Sequence, residues 1–455
     1  MKEKVRFTEK ISYAFCASAY ELEVGLTLTY FSLFCTDVAG LSPTLLGIVL
    51  LAARCLDGVT DLLITNIADK THTRFGRYRP WILFMGIPLG IVTMLCYSMP
   101  YLTGGFGKGV LWVIILYVVM VPICETGIYC PVMTMGTVMT KDYRHRLSFA
   151  TARGIGENAG DMIASAVVMT LAILVGGSYK EASGWSVVGI VFGCAVILSA
   201  IIGFRGTKER VIADNRDKDG SVLTLKRKLS LLFRNNRPYM KLLGVQLAFM
   251  FQWIASMTIF SYFCIYNLQH ESWVAILATV GILVQVGVSL LIPKLGMRFE
   301  KRTLMMTGLL ILILGALILL FANNFFMALA YQLLRGLGNG LMYNVLFSMW
   351  ADASDYTEWK TGIAIPGIAL AIGTLVMKLA TALGNYYSAG LLTIGHYDST
   401  LEVQKQGTLD VIRYGFAGAI LVGCLVSLLI VFTLKEFSRQ NMEKYNTYKI
   451  ITDSE

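Results

Sequence analysis

The sequence predicts an all-α membrane protein of twelve transmembrane helices in two six-helix halves, and three observations carry that reading. The chain is 56% hydrophobic and only 15% charged, with a mean hydropathy of +0.63, far from a soluble domain. It holds about twelve apolar stretches that reach the roughly 20 residues a helix needs to cross a bilayer. Its basic residues collect in alternate loops, the bias that sets orientation in a membrane. The net charge of +10 therefore reads as topology. It lies in short flanking loops, which argues against nucleic acid as a partner.

The first span, 12–36, follows the charged segment Met1–Lys10 and shows no signal-peptide cleavage site. Its Glu21 and Glu23 stand two apart and so face different sides of a helix. An inter-helix ion pair is expected for Glu23. Span two, 42–68, carries Arg54, Asp57 and Asp61 at spacings of three and four, which puts all three on one face. Each costs roughly 3 kcal/mol at the centre of a bilayer on a translocon scale, so that face should line a protein interior or a water-filled cavity. Two carboxylates about 6 Å apart along the axis offer hard oxygen ligands for Na⁺ or a site for a proton. One arginine against two acids still leaves the negative charge that a cation site needs; the alternative is a neutralised structural network. A basic turn follows, with Asp69, Arg74, Arg77 and Arg79. After span three, 81–101, span four, 108–139, places Glu125 and Tyr129 four apart on one face. The pair could face a ligand; the competing reading is packing plus an ion pair from Glu125 to a facing arginine. Span five, 150–176, carries Arg153, Glu157 and Asp161 at i, i+4 and i+8, a spacing that makes intrahelical pairs. Span six is 185–204.

A charged connector divides the chain into a first bundle, 1–204, the connector, 205–238, a second bundle, 239–435, and a tail, 436–455. Arg74-Phe75 after span two and Arg298-Phe299 after span eight, both leading into basic residues, form a faint internal repeat. The second half holds spans 239–267, 273–293, 303–322, 325–350, 362–394 and 410–434. Span ten contains Arg335, then Gly336-x-Gly338-x-Gly340, then Tyr343 and Trp350 seven apart. The glycines lack the strand and Lys-Ser/Thr of a phosphate loop and read as close helix packing. Asp352, Asp355 and Glu358 end the span, as Asp69 to Arg79 end span two. Such charges can pair between halves in one state and part in another, which makes them gate residues. Lys108, Lys180 and Lys405 are the only lysines or arginines expected in the opposite loops, so both termini should be cytoplasmic. The nine cysteines contain no CxxC pair and read as small packing residues. Duplicated halves are the architecture of a rocking transporter.

At the level of motifs the chain resembles the glycoside–pentoside–hexuronide:cation symporters of the major facilitator superfamily. The resemblance rests on Arg54-x-x-Asp57-x-x-x-Asp61, Asp69-x-x-x-x-Arg74-Phe75-Gly76-Arg77-Tyr78-Arg79-Pro80-Trp81, Phe34-x-Thr36-Asp37-Val38-x-Gly40-Leu41, Ala351-Asp352-x-x-Asp355-Tyr356-x-Glu358-x-Lys360 and Thr374-Leu375-Val376-Met377-Lys378. It implies the major facilitator fold and inward, cation-coupled transport of a sugar or glycoside across the inner membrane, without enzymatic chemistry. It implies no cofactor beyond the co-transported Na⁺ or H⁺. Asp57 and Asp61 match the family's cation-binding aspartates, and Thr126 falls near a hydroxyl that contributes there. Thr60 stands where relatives have an asparagine and Leu62 where they have a proline, which leaves the ion open. Glu21 matches the aspartate that holds sugar hydroxyls. Tyr129 falls about where a second sugar-binding aspartate stands, with Glu125 a turn earlier. Arg153 matches an arginine lining the cavity, Tyr343 a tryptophan of the substrate pocket, and Thr374 and Lys378 an element facing the cation site. The expected partners are the sugar, a monovalent cation and membrane lipid, around a monomer. Glu125, Glu157, Asp161 and Arg335 keep open a carrier for an anionic sugar, and a transport-incompetent sensor is a third reading.

Overall fold

The computed structural model describes residues 6–71, 73–104, 107–140, 143–210, 232–233, 236–361, 366–401 and 403–435. The helices are α1 (Phe7–Ala39), α2 (Pro43–Lys70), α3 (Arg79–Leu102), α4 (110–138), α5 (Tyr143–Gly176) and α6 (Ala182–Gly206). Then come α7 (Arg237–Asn267), α8 (Trp273–Arg298), α9 (Lys301–Leu320), α10 (Phe325–Thr361), α11 (Pro366–Ile394) and α12 (Gln406–Thr433). They stand at the apolar stretches read from the sequence. Among the described residues, ten are long and apolar enough to cross a membrane. The helices α10 and α11 are also long, at 37 and 29 residues. Most of the predicted connector and the whole predicted tail lie outside the described residues.

Local chemistry sets the ends and irregularities of the helices that matter here. Helix α1 relaxes into wider turns at Thr27–Phe31 and Phe34–Ala39 and stops at Gly40, whose φ of 81° only glycine adopts freely. Ser42 caps α2 by accepting the Leu45 amide at 3.4 Å, and Pro43 occupies the first turn, where its missing N–H is no loss. In α4, Pro122 cannot donate to the helix ladder, and a π turn runs across Met120–Glu125.

The chain forms two compact units. The first comprises Met1–Asp214, Met257–Thr279 and Asn385–Ile412. Within it α1 packs on α5 and α3 on α6, with small residues at both seams. A Cβ placed on Gly160 would sit 2.9 Å from the Glu21 Cβ, and one on Gly90 would sit 2.5 Å from the Gly193 carbonyl oxygen. Phe31 stacks on Tyr117 with ring centroids 4.4 Å apart, in a fully enclosed aromatic core. Helix α2 shows how its polar face is kept from the outside: Leu56, Val59, Leu63 and Ile67 form the exposed stripe, while Arg54 and Asp57 are buried.

The second unit comprises Asn215–Ser256, Val280–Gly384 and Arg413–Glu455. Here the Gly336-x-Gly338-x-Gly340 segment is a packing element, as its sequence suggests. Gly338 lies against the Gly308 carbonyl of α9, and Gly336 against Val284 and the Gly281 carbonyl of α8.

Candidate functional site

The buried face of α2 meets the π turn and following helix of α4. Asp57 is 1% exposed. Its carboxylate accepts the Thr126 hydroxyl and pairs with Arg54 Nη1 at 3.3 Å. The same guanidinium nitrogen reaches Glu125 Oε1 at 3.4 Å. Arg54 thus bridges two carboxylates on different helices, the ion-pair reading of Glu125. One turn on, Asp61 accepts the Cys130 thiol at 3.5 Å. The Thr60 hydroxyl turns back onto its own helix, donating to the carbonyls of Leu56 at 3.2 Å and Asp57 at 3.1 Å. Of the four predicted cation ligands, the structure joins Asp57 and Thr126 directly and sets Asp61 one helical turn away.

A second polar group lies between α1, α4 and α5. Close approach of the helices at Gly160 sets Glu21 against α5. Tyr20 donates to Glu157, and Arg153 pairs with Glu157 at 3.0 Å, the i, i+4 pair its spacing predicts. Tyr129 meets Tyr20 edge to face at 5.4 Å. Asp161 stands at the next turn, beside Gly25. Glu21 is half-buried and makes no hydrogen bond or ion pair among the described residues. A phenol face, a carboxylate and a guanidinium therefore lie side by side on these helices, a set suited to hydroxyl donors with an apolar ring face.

The remaining predicted residues are distributed as follows. In the second unit Tyr343 packs edge to face on Trp253 at 4.8 Å, and Arg335 donates to Gln332 at 3.0 Å. Thr374 and Lys378 stand one turn apart on α11 and are both half-buried. Among the gate residues, Arg79 donates to the carbonyls of Phe204 at 2.6 Å and Phe75 at 3.3 Å, and Arg74 lies over the Phe75 ring. Asp352 pairs with Lys301 at 2.7 Å. These bonds join groups of the same unit. The side chains of Asp69, Asp355 and Glu358 lie outside the described residues. The basic turn is organised by a residue the sequence reading passed over. The Glu209 carboxylate accepts the backbone amides of Arg77, Tyr78 and Arg79 at 2.7 to 2.8 Å.

One acid differs from its expected role, and a second takes a role the sequence did not mark. Glu23 makes no inter-helix ion pair among the described residues; its hydrogen bond is to Thr27 on its own helix, at 2.5 Å. The neighbouring cation, Arg54, is engaged by Asp57 and Glu125 instead. Asp37 was noticed only within a motif, yet it is the centre of a buried network in the first unit. It accepts Tyr397 at 2.5 Å, Thr36 at 2.6 Å, Tyr266 at 2.5 Å and Tyr179 at 3.2 Å. Burial and the Asp37 charge push the phenols of the loop residues Tyr179 and Tyr397 upward, so both remain donors. An acid closing an apolar span was the available signal. Tyr179 and Tyr397 sit in loops, where no periodicity marks them.

Comparison with known proteins agrees with this architecture. The family model described as MFS/sugar transport protein matches residues 12–435. The isoprimeverose transporter of Lactiplantibacillus pentosus is 26% identical, over 95% of this chain and 90% of its own. An inner membrane symporter of Escherichia coli strain K12, YicJ, is also 26% identical, over 97% of this chain and 94% of its own. Among solved structures, a bacterial homolog of the human lysosomal transporter Spinster superimposes with a TM-score of 0.67 at 14% identity, covering 95% of this chain and 97% of its own. At that identity the likeness shows a shared fold.

Proposed function

The chain belongs to the MFS/sugar transport protein family and has its major facilitator fold, and from that premise we propose that it carries a sugar or glycoside across the membrane by symport with a cation. It is a transporter rather than an enzyme. The observation that carries the reading is the buried face of α2, where Asp57 joins Thr126 and Arg54, with Asp61 one turn beyond. Buried carboxylates in excess over their arginine attract a cation, and Na⁺ and H⁺ both fit that chemistry. When the ion neutralises Asp57 and Asp61, Arg54 loses one of its anionic partners and the α2–α4 contact reorganises. Sugar and ion then raise each other's affinity, because such coupling is reciprocal. Rocking of the duplicated halves exposes both ligands to the other side.

Glu21 is the proposed acceptor for sugar hydroxyls, with Tyr129 against the ring face and Arg153 beside them. Tyr343, Thr374 and Lys378 are the second half's proposed contributions. Glu21, Glu157 and Asp161 against Arg153 favour a neutral, hydroxyl-rich substrate over an anionic one. The basic loops support cytoplasmic termini, and the charged turns at Asp69–Arg79 and Asp352–Glu358 are the proposed gates. Purified protein in liposomes, offered a panel of neutral and anionic glycosides under separate Na⁺, Li⁺ and H⁺ gradients, tests the reading. Accumulation of a neutral glycoside that collapses with one ion gradient is expected. Uptake indifferent to every gradient would rule out symport.

A further inference from the structure

Glu23 lies at the midpoint of α1 and is fully buried. One carboxyl oxygen accepts the Thr27 hydroxyl. The other, Oε2, is enclosed and has no hydrogen-bond partner among the described residues. Glu23 makes no hydrogen bond to Asp57, Asp61, Thr60 or Thr126 and no ion pair among the described residues. The charged and titratable groups within its electrostatic reach come from four helices. Glu21 is on α1 itself, Arg54 and Asp57 are on α2, Cys96 and Tyr97 on α3, and Tyr117, Cys124 and Glu125 on α4. Arg54 is the cation of that set, and its bonds go to Asp57 and Glu125.

With Glu23, Asp57 and Glu125 all ionised, one arginine would face three carboxylates that are buried or nearly so. A buried charge persists only when it is paired and hydrogen-bonded. Asp57 has Arg54 and Thr126, and Glu125 has Arg54. Glu23 has a single hydroxyl. We propose that Glu23 is a proton-binding site, distinct from the Asp57–Asp61 pair, and that it carries its proton in the arrangement described here. Loss of the proton leaves a carboxylate that needs a cation, and Arg54, whose Nε has no acceptor among the described residues, supplies it by turning from α4 toward α1. The ligand is H⁺ alone: Glu23–COOH releases it to water that reaches the carboxyl when the helices part and regains it from there, with no other bond made or broken. A pH-linked step is thereby attached to the cation site through one shared guanidinium.

The proposal goes beyond the symport reading, and only its transport arm rests on it. Infrared spectra of the purified full-length protein, titrated across neutral pH, report protonated carboxyl groups without any sugar present. Wild type should show a protonated-carboxyl band that is weaker in Glu23→Gln. Glu23→Asp, which keeps the group, should retain the band at a shifted frequency. A Glu23→Gln spectrum identical to wild type throughout the titration would overturn the proposal. In liposomes, Glu23→Gln should lose sugar accumulation driven by an imposed pH gradient and keep sugar exchange without a gradient. Wild-type accumulation by the Glu23→Gln variant under that pH gradient would equally overturn it. If wild type moves no sugar under any gradient, the symport reading fails, and the infrared comparison still decides Glu23.

Discussion

Asp57 sits where a change of one atom has the clearest consequence, because its oxygens serve Thr126 on one side and Arg54 on the other. Asp57→Asn keeps the size, removes the charge and leaves Arg54 with Glu125 as its carboxylate partner. Gradient-driven accumulation should fall to background while sugar binding persists, as read by uptake beside equilibrium binding. An unchanged ion dependence would place the cation elsewhere. Glu21 is tested by Glu21→Gln. Charge-assisted hydrogen bonds contribute roughly 1.5–3 kcal/mol each, so sugar affinity should drop about tenfold or more, since about 1.4 kcal/mol is a factor of ten. Titrations of sugar and cation on the purified variant separate the outcomes. Intact sugar affinity in folded protein would remove Glu21 from the pocket.

Among the elements, the α1–α5 seam does most to assemble the proposed sugar site, since it holds Tyr20 and Glu21 against Arg153 and Glu157. A side chain at Gly160 would meet the Glu21 Cβ at 2.9 Å and the Leu22 backbone nitrogen at 3.1 Å. Gly160→Val should therefore push the helices apart, costing about 1–3 kcal/mol as overpacking does, and should lower thermal stability and sugar affinity together. Gly154 stands six residues earlier on α5, and a Cβ there meets nothing within 4 Å among the described residues. Gly154→Ala should keep affinity and hold or raise stability by up to about 1 kcal/mol, the helix propensity difference. Thermal unfolding of the two variants side by side checks the contrast. Equal stability would mean that the seam is not tight.

For the molecule as a whole, the Asp37 network is the most extensive polar tie among the described residues of the first unit. It joins the end of α1, the loop after α5, the end of α7 and the loop after α11 through one carboxylate. Any transport cycle that opens this end of the unit must part those hydroxyls from Asp37. Asp37→Asn replaces an acceptor by a donor and removes the charge that strengthens each bond. Backbone hydrogen exchange at 177–181 and 395–401 should quicken by about tenfold or more, the scale of one charge-assisted bond, and the transport rate should change with it. Exchange as slow as in wild type would show that the network is not what closes these loops.

Much of this was readable from residue order. Apolar stretches of spanning length mark where the helices run, because a lipid-exposed backbone must satisfy its own hydrogen bonds. Spacings of three and four place Arg54, Asp57 and Asp61 on one face, and Arg153 with Glu157, since helical pitch is a local property. Partner choice across helices was not readable. Arg54 reaches Glu125, Glu23 is left with Thr27, and Asp37 collects phenols from two loops. Each of those outcomes depends on how helices rotate and how closely small residues let them approach. The sequence by itself determined which residues could carry charge inside the membrane. Only the tertiary structure decided which of them share a partner, because a contact is set by packing between elements that are distant in the chain.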